Sequence, residues 1–116
     1  MNINKMQWIL QGQTYRQQIM VSCDWLKEGY LDKIRVWGYD TLQDAGSFCE
    51  VWWNKQEEIL EGLYTSGLTS KWVSAFQCHQ FLDKNILSDA DEVGLTLYTK
   101  EGSTDMKDRI ILTESY

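Results

Sequence analysis

His79 is the only histidine among the 116 residues, and it stands beside Cys78. A proton shuttle working near neutral pH normally needs an imidazole, because no other unperturbed side chain titrates there. A thiolate nucleophile needs a base within hydrogen-bond reach. Adjacent residues on a helix point about 100° apart, so Cys78 and His79 do not form such a pair by themselves. His79 also falls on an apolar stripe with Trp72, Ala75, Phe76 and Leu82, where it reads as a histidine at the edge of a core. Cys23 and Cys49 lie far away in sequence. Zinc sites gather several Cys and His ligands at close spacing, so no metal ligand set is expected, and no cofactor.

Carboxylates are the next candidates. Glu57, Glu58 and Glu61 are close in sequence, and on a helix Glu57 and Glu61 would share a face. Glycosidic chemistry needs two carboxylates flanking a cleft, one with a raised pKa; the sequence offers no sign of burial here, so a solvated face is expected. Asp89-Ala90-Asp91-Glu92 resembles the start of a calcium loop. The pattern then puts Val93 where a ligand belongs and Lys100 where the closing glutamate belongs. A connecting loop is the better reading. The chain lacks the glycine patterns that cradle phosphate or expose a serine nucleophile. No catalytic residue is assigned.

The residue types point to binding instead. Six tryptophans (Trp8, Trp25, Trp37, Trp52, Trp53, Trp72) are a heavy load for this length, and Trp is enriched among interface hot spots. About four of them are expected in the core. Trp52 and Trp53 are adjacent, so they cannot both face inward. Asp40, Asp44, Glu50, Glu57, Glu58 and Glu61 crowd one stretch against the single base Lys55. The residues expected to meet a partner are Trp53, Glu57, Glu58 and Glu61, with Asp40 and Asp44 in support.

The elements that would position them follow from periodicity. Met6–Leu10 is a short apolar run and Gln11–Thr14 a turn. From Tyr15 to Trp25 the odd positions are Tyr15, Gln17, Ile19, Val21, Cys23 and Trp25, an alternation typical of a half-buried strand. Gly29 can then turn the chain into a strand over Tyr30–Tyr39; a helical turn over Asp24–Leu31, capped by Asp24, competes with that hairpin. Thr41 and Ser47 compete as N-caps of a helix, and Ser47 with Glu50 matches a capping box. Phe48, Val51, Trp52, Ile59, Leu60 and Leu63 share one face of that helix, which Gly62 or Gly67 ends. Thr69 can cap a second helix running to Asn85. Val93–Lys100 and Lys107–Thr113 read as strands. The order β-β-β-α-α-β-β defines an α+β domain: an antiparallel sheet of about five strands with two amphipathic helices on one face.

Length and a hydrophobic share of 43% suit one domain spanning residues 1–116, with a core that needs no staples. No apolar run reaches the roughly 20 residues of a membrane span, and the start lacks a signal-peptide pattern. Three cysteines without paired spacing suit a reducing compartment. These features predict a cytoplasmic protein with no membrane contact. A net charge of −6 disfavours nucleic acid as partner, since phosphate needs a basic face, and favours a protein with a basic surface. The expectation is a small acidic protein-binding module, of the inhibitor or immunity type, that neutralises an enzyme or toxin. The alternatives are an accessory subunit or a homodimer pairing through the edge strand Lys107–Thr113, and then a small enzyme or ligand-binding domain with aromatic walls.

Overall fold

A computed structural model of the protein describes residues 1–66, 69–74 and 90–108. Two helices come first, α1 (Ile3–Leu10) and α2 (Tyr15–Glu28). Among the described residues six strands follow: β1 (Lys33–Asp40), β2 (Ala45–Asn54), β3 (Ile59–Ser66), β4 (Thr69–Ser74), β5 (Glu92–Thr99) and β6 (Gly102–Asp108). They form one sheet in the order β4-β3-β2-β1-β5-β6, and each neighbouring pair is antiparallel. Both helices lie on the same face. The class is α+β, as the composition of elements predicts.

The placement of those elements differs from the sequence reading. Tyr15–Glu28 is a helix, not a strand, and the described elements run α-α-β-β-β-β-β-β rather than β-β-β-α-α-β-β. Local capping decides it. Thr14 Oγ1 accepts from Gln17 N at 3.2 Å, and Thr14 N donates back to Gln17 Oε1 at 3.1 Å, a complete capping box. The buried positions Tyr15, Ile19, Ser22, Cys23 and Leu26 recur at helical spacing. Ser22 disguises this stripe, because it is polar yet fully buried. Its hydroxyl donates to Gln18 O one turn back at 2.7 Å, which removes the cost of an unpaired buried group. Gly29 does take a positive φ, 86°, but as the C-cap of α2. Met6–Leu10 likewise belongs to a helix, with Asn2 Oδ1 accepting from Lys5 N at its start.

The helix expected after Asp40 is instead the hairpin β2–β3, and Thr69–Ser74 is strand β4. Ser47 and Glu50, which mimic a capping box, both lie within β2. Two turns of the same build cause the confusion. Asp40 Oδ1 accepts from Leu42 N and Gln43 N, and Asn54 Oδ1 accepts from Gln56 N and Glu57 N. Each makes the bonds of a helix N-cap, since the same side chains cap helices and initiate turns. Each turn then closes on a residue in the left-handed region, Asp44 at φ 53° and Glu58 at φ 55°, so no helix continues. The rest of the second expected helix, with Cys78 and His79, lies outside the described residues. So does the last strand beyond Asp108.

The core is one cluster between helices and sheet. Met6, Leu10, Tyr15, Ile19, Trp25 and Leu26 meet Ile34, Val36, Cys49, Val51, Val93, Leu95 and Leu97. Alternation on the strands puts Ile34 and Val36 in this core and turns Lys33, Arg35, Trp37 and Tyr39 to the other face. Tyr15 ties the two layers together: its hydroxyl is 2.7 Å from Gly94 O and 3.2 Å from Trp37 O.

Candidate functional site

Among the described residues both helices pack on one face of the sheet, and the other, helix-free among those residues, carries most of the remaining chemistry. Trp37 and Tyr39 on β1, Phe48 and Trp52 on β2, and Tyr98 on β5 are all half-buried there. Strand alternation alone would let such rings stand up from the sheet. Two glycines let them lie down. Trp37 is paired in register with Gly94, and a Cβ at Gly94 would fall 1.9 Å from Trp37 Cζ2. The indole therefore occupies the space of the missing side chain and lies flat on β5. Tyr39 faces Gly46 across the other ladder, where a Cβ would fall 3.2 Å from Tyr39 Cδ2. Two rings on one strand thus lean in opposite directions, Trp37 over β5 and Tyr39 over β2.

Hydrogen bonds fix the arrangement. Trp37 Nε1 donates to Thr96 Oγ1 at 3.1 Å, and Thr96 Oγ1 donates to Asp105 Oδ1 at 2.6 Å. Thr96 is buried, so the chain carries order from the indole to a carboxylate on β6. Beside it, Glu50 sits opposite Arg35 in register. Glu50 Oε2 receives Arg35 at 2.8 Å and Lys33 at 3.0 Å. The same cations rest on aromatic rings, Arg35 on Phe48 at 4.3 Å and Lys33 on Tyr98 at 4.7 Å.

Between the leaning rings lies an open cleft of about 510 Å³, whose lining includes Arg35, Trp37, Tyr39, Phe48, Glu92, Asp105 and Lys107. Lys107 approaches Glu92 to 3.7 Å. At the same end, Asp91 accepts from Thr41 N at 3.2 Å and from the Thr41 hydroxyl, which binds the β1–β2 turn to the start of β5. Asp40 and Asp44 belong to that turn. Leu42 at its tip is 92% exposed.

The residues expected to meet a partner do not form one patch. Asp40 and Asp44 lie at the cleft end of the β1–β2 hairpin. Glu57 and Glu58 lie exposed in the turn between β2 and β3, at the other end of the ten-residue β2, on the order of 30 Å away at the usual rise per strand residue. Glu57 and Glu61 are not helical neighbours. Glu61 is on the helix-free face, where it accepts from Trp52 Nε1 at 3.2 Å. Trp53 is on the opposite face and packs against the core. The tryptophans are also less interior than expected: Trp25 is buried, Trp53 partly so against the core, Trp37 and Trp52 lie on the helix-free face, and Trp8 is 75% exposed. Nothing in the sequence alone singles out Tyr39, Phe48, Tyr98 and Asp105 as site residues. The available signal was a glycine opposite an aromatic in neighbouring strands, which needs the register to be seen.

Among the described residues two groups have clearly shifted ionisation, Cys49 under the helices and Glu50 on this face. Burial pushes the Cys49 thiol up to about 12, with the charge of Glu50 and the nearby Cys23 adding to it. Burial alone would raise Glu50, but hydrogen bonds from Arg35 and Lys33 outweigh it and hold the carboxyl below the ordinary glutamate range. Neither shift moves toward neutrality, where a general acid or base works. Among the described residues, no group of three or more His, Cys, Asp or Glu is placed to hold a metal ion. No helix of the described residues is long and apolar enough to cross a membrane. No family model, curated protein or solved structure matches this chain.

Proposed function

We propose that this chain is a cytoplasmic protein-binding module of the inhibitor or immunity type, and that its binding surface is the helix-free face of the sheet. The observation that carries the reading is the set of half-buried aromatic rings Trp37, Tyr39, Phe48, Trp52 and Tyr98 on one face. Aromatic anchors already held in place lose little freedom on binding, and they supply most of the energy of protein interfaces. Strands hold them more firmly than a loop would. The net charge of −6 and the carboxylates at the cleft end favour a partner with a basic surface, steered by charge and anchored by rings. Buried thiols at Cys23 and Cys49 suit the reducing cytoplasm.

The experiment is affinity capture from host lysate with tagged wild-type protein and the double variant Tyr39→Ala/Phe48→Ala, washed at low and then high salt. One basic protein held by the wild type, released by salt and lost in the variant is expected. A partner retained equally by the variant moves the binding surface elsewhere. Self-association that resists salt would replace the module reading with the homodimer.

A further inference from the structure

We infer that the cleft between Trp37 and Tyr39 is built to take a cationic side chain, a guanidinium or an ammonium, presented by the partner protein. The inference rests on the protein-binding reading and says what the face recognises. Three observations carry it.

The first is the balance of charge. Among the described residues the cleft is lined by two bases, and both are engaged by acids: Arg35 by Glu50, which it shares with Lys33, and Lys107 by Glu92. Asp105 is different. It accepts a hydrogen bond from Thr96, and among the described residues no base lies within ion-pair distance of it. Asp40, Asp44 and Asp91 add negative charge at the same end. An incoming anion would meet the Asp105 carboxylate, whereas an incoming cation would meet its complement.

The second is the aromatic surface. Arg35 already covers Phe48, and Lys33 covers Tyr98. Trp37 and Tyr39 carry no such cation among the described contacts. The indole of Trp37 packs one face on Gly94, which leaves the other toward the cleft it lines. Indole is the best of the protein rings for holding a cation. The face thus repeats outward the cation-on-ring arrangement it already makes twice with its own side chains.

The third is preorganisation. The bonds from Trp37 Nε1 to Thr96 and from Thr96 to Asp105 set ring and carboxylate in fixed relation before anything binds. A cation over the ring can therefore reach Asp105 without rearranging the wall, and the ordering cost of binding falls.

The test uses the full chain, labelled with ¹⁵N, and a capped arginine (N-acetyl-arginine methylamide) titrated at physiological salt. Capped citrulline, neutral but similar in shape, and capped glutamate serve as comparisons. Saturable shifts are expected at the Trp37 indole N–H and the Tyr39 and Gly46 amides with arginine, and weaker ones with citrulline. Tyr39→Ala and Asp105→Asn should each weaken arginine binding by about two- to fivefold, the scale of an exposed cation–ring contact or ion pair. Asp105→Lys should remove saturation. Glu57→Gln removes the same charge at the far turn and should leave the affinity unchanged. Far-UV spectra and melting points of all variants confirm folding.

Equal response to citrulline, preferential binding of glutamate, or an equal effect of Glu57→Gln and Asp105→Asn would overturn the inference. Face-dependent capture of a protein together with failure of the arginine probe retires the cationic side chain and leaves the module standing. A bound probe with no captured protein does the reverse.

Discussion

The two faces of the sheet are made by the same strands and obey opposite rules. Under the helices, Ile34, Val36, Cys49, Val51, Val93, Leu95 and Leu97 are buried, mostly aliphatic and free of charge. On the other side the same strands present rings, ion pairs and two glycines opposite rings. Aliphatic side chains fill space from all directions and are stabilised by removal from water. The aromatic face is held by directed contacts instead: an indole N–H on a threonine, cations on rings, a ring in the place of a Cβ. The first pattern serves stability. The second holds large, half-exposed surfaces in one orientation, which is a condition for recognition.

Removing a core group should break the comparison most visibly. Leu95→Ala takes a fully buried side chain out of the helix-covered face. A loss of about 2–5 kcal/mol is expected, read by urea unfolding. Tyr39→Ala, half-buried on the other face, should cost far less and should act on partner capture instead. Comparable losses in the two variants would mean that the faces do not divide stability from binding.

Gly94→Ala tests the boundary between them. Gly94 is buried, yet its missing side chain belongs to the aromatic face. A new Cβ at 1.9 Å from Trp37 Cζ2 cannot be accommodated in place, so the indole must lift. The expected cost is about 1–3 kcal/mol, as for other overpacked sites. The indole should also lose its bond to Thr96, visible as a shift of its N–H resonance and a changed fluorescence maximum. A stable variant with an unmoved indole would remove the glycine seat from the account of the site.

The class of fold was legible in the sequence, and two strands were placed nearly correctly: Tyr30–Tyr39 against β1, and Val93–Lys100 against β5. Both carry unambiguous alternation with β-branched residues. The first half failed where two periods coexist. Tyr15, Ile19 and Cys23 satisfy both the alternating and the helical pattern, and only the capping box at Thr14 and Gln17 separates them. In β2 the alternation was hidden because both faces are apolar: Val51 and Trp53 point one way, Phe48 and Trp52 the other. An aromatic outer face erases the polar half of a strand's signature, so the candidate site conceals its own strand. Its residues also come together only through register, as Trp37 with Gly94 and Thr96 with Asp105, and no local spacing reveals that.

Ionisation sharpens the contrast between the faces. Cys49, under the helices, has its thiol raised from an ordinary 9.0 to about 12 by burial, with smaller contributions from Glu50 and Cys23. The unfolded chain releases this proton at lower pH than the folded one. Stability should therefore be complete below about pH 9 and fall as pH rises from there toward 12, with this residue contributing up to about 1.4 kcal/mol per pH unit. Urea unfolding at stepped alkaline pH should show a steeper decline for wild type than for Cys49→Ala. Parallel declines would mean that the thiol is not held protonated by the core.

Glu50, on the helix-free face, has the opposite sign and the smallest expected effect. Its carboxyl is held below the ordinary 4.5 because hydrogen bonds from Arg35 and Lys33 outweigh burial. The folded state then prefers the ionised form, so its contribution is present above pH 4.5 and is lost as pH falls below it. Arg35 and Lys33 are themselves more than a third exposed, and water screens such pairs to about 0.2–1 kcal/mol. Glu50→Gln should therefore lower stability at neutral pH by under about 1 kcal/mol and flatten its acid dependence. The larger consequence should appear in recognition. Without Glu50, Arg35 is no longer neutralised beside the cleft, and a bound cation meets one more positive charge. A variant that loses arginine binding while barely changing in stability is what a face organised for recognition requires. Equal loss of both would make the ion pair a structural element of the sheet.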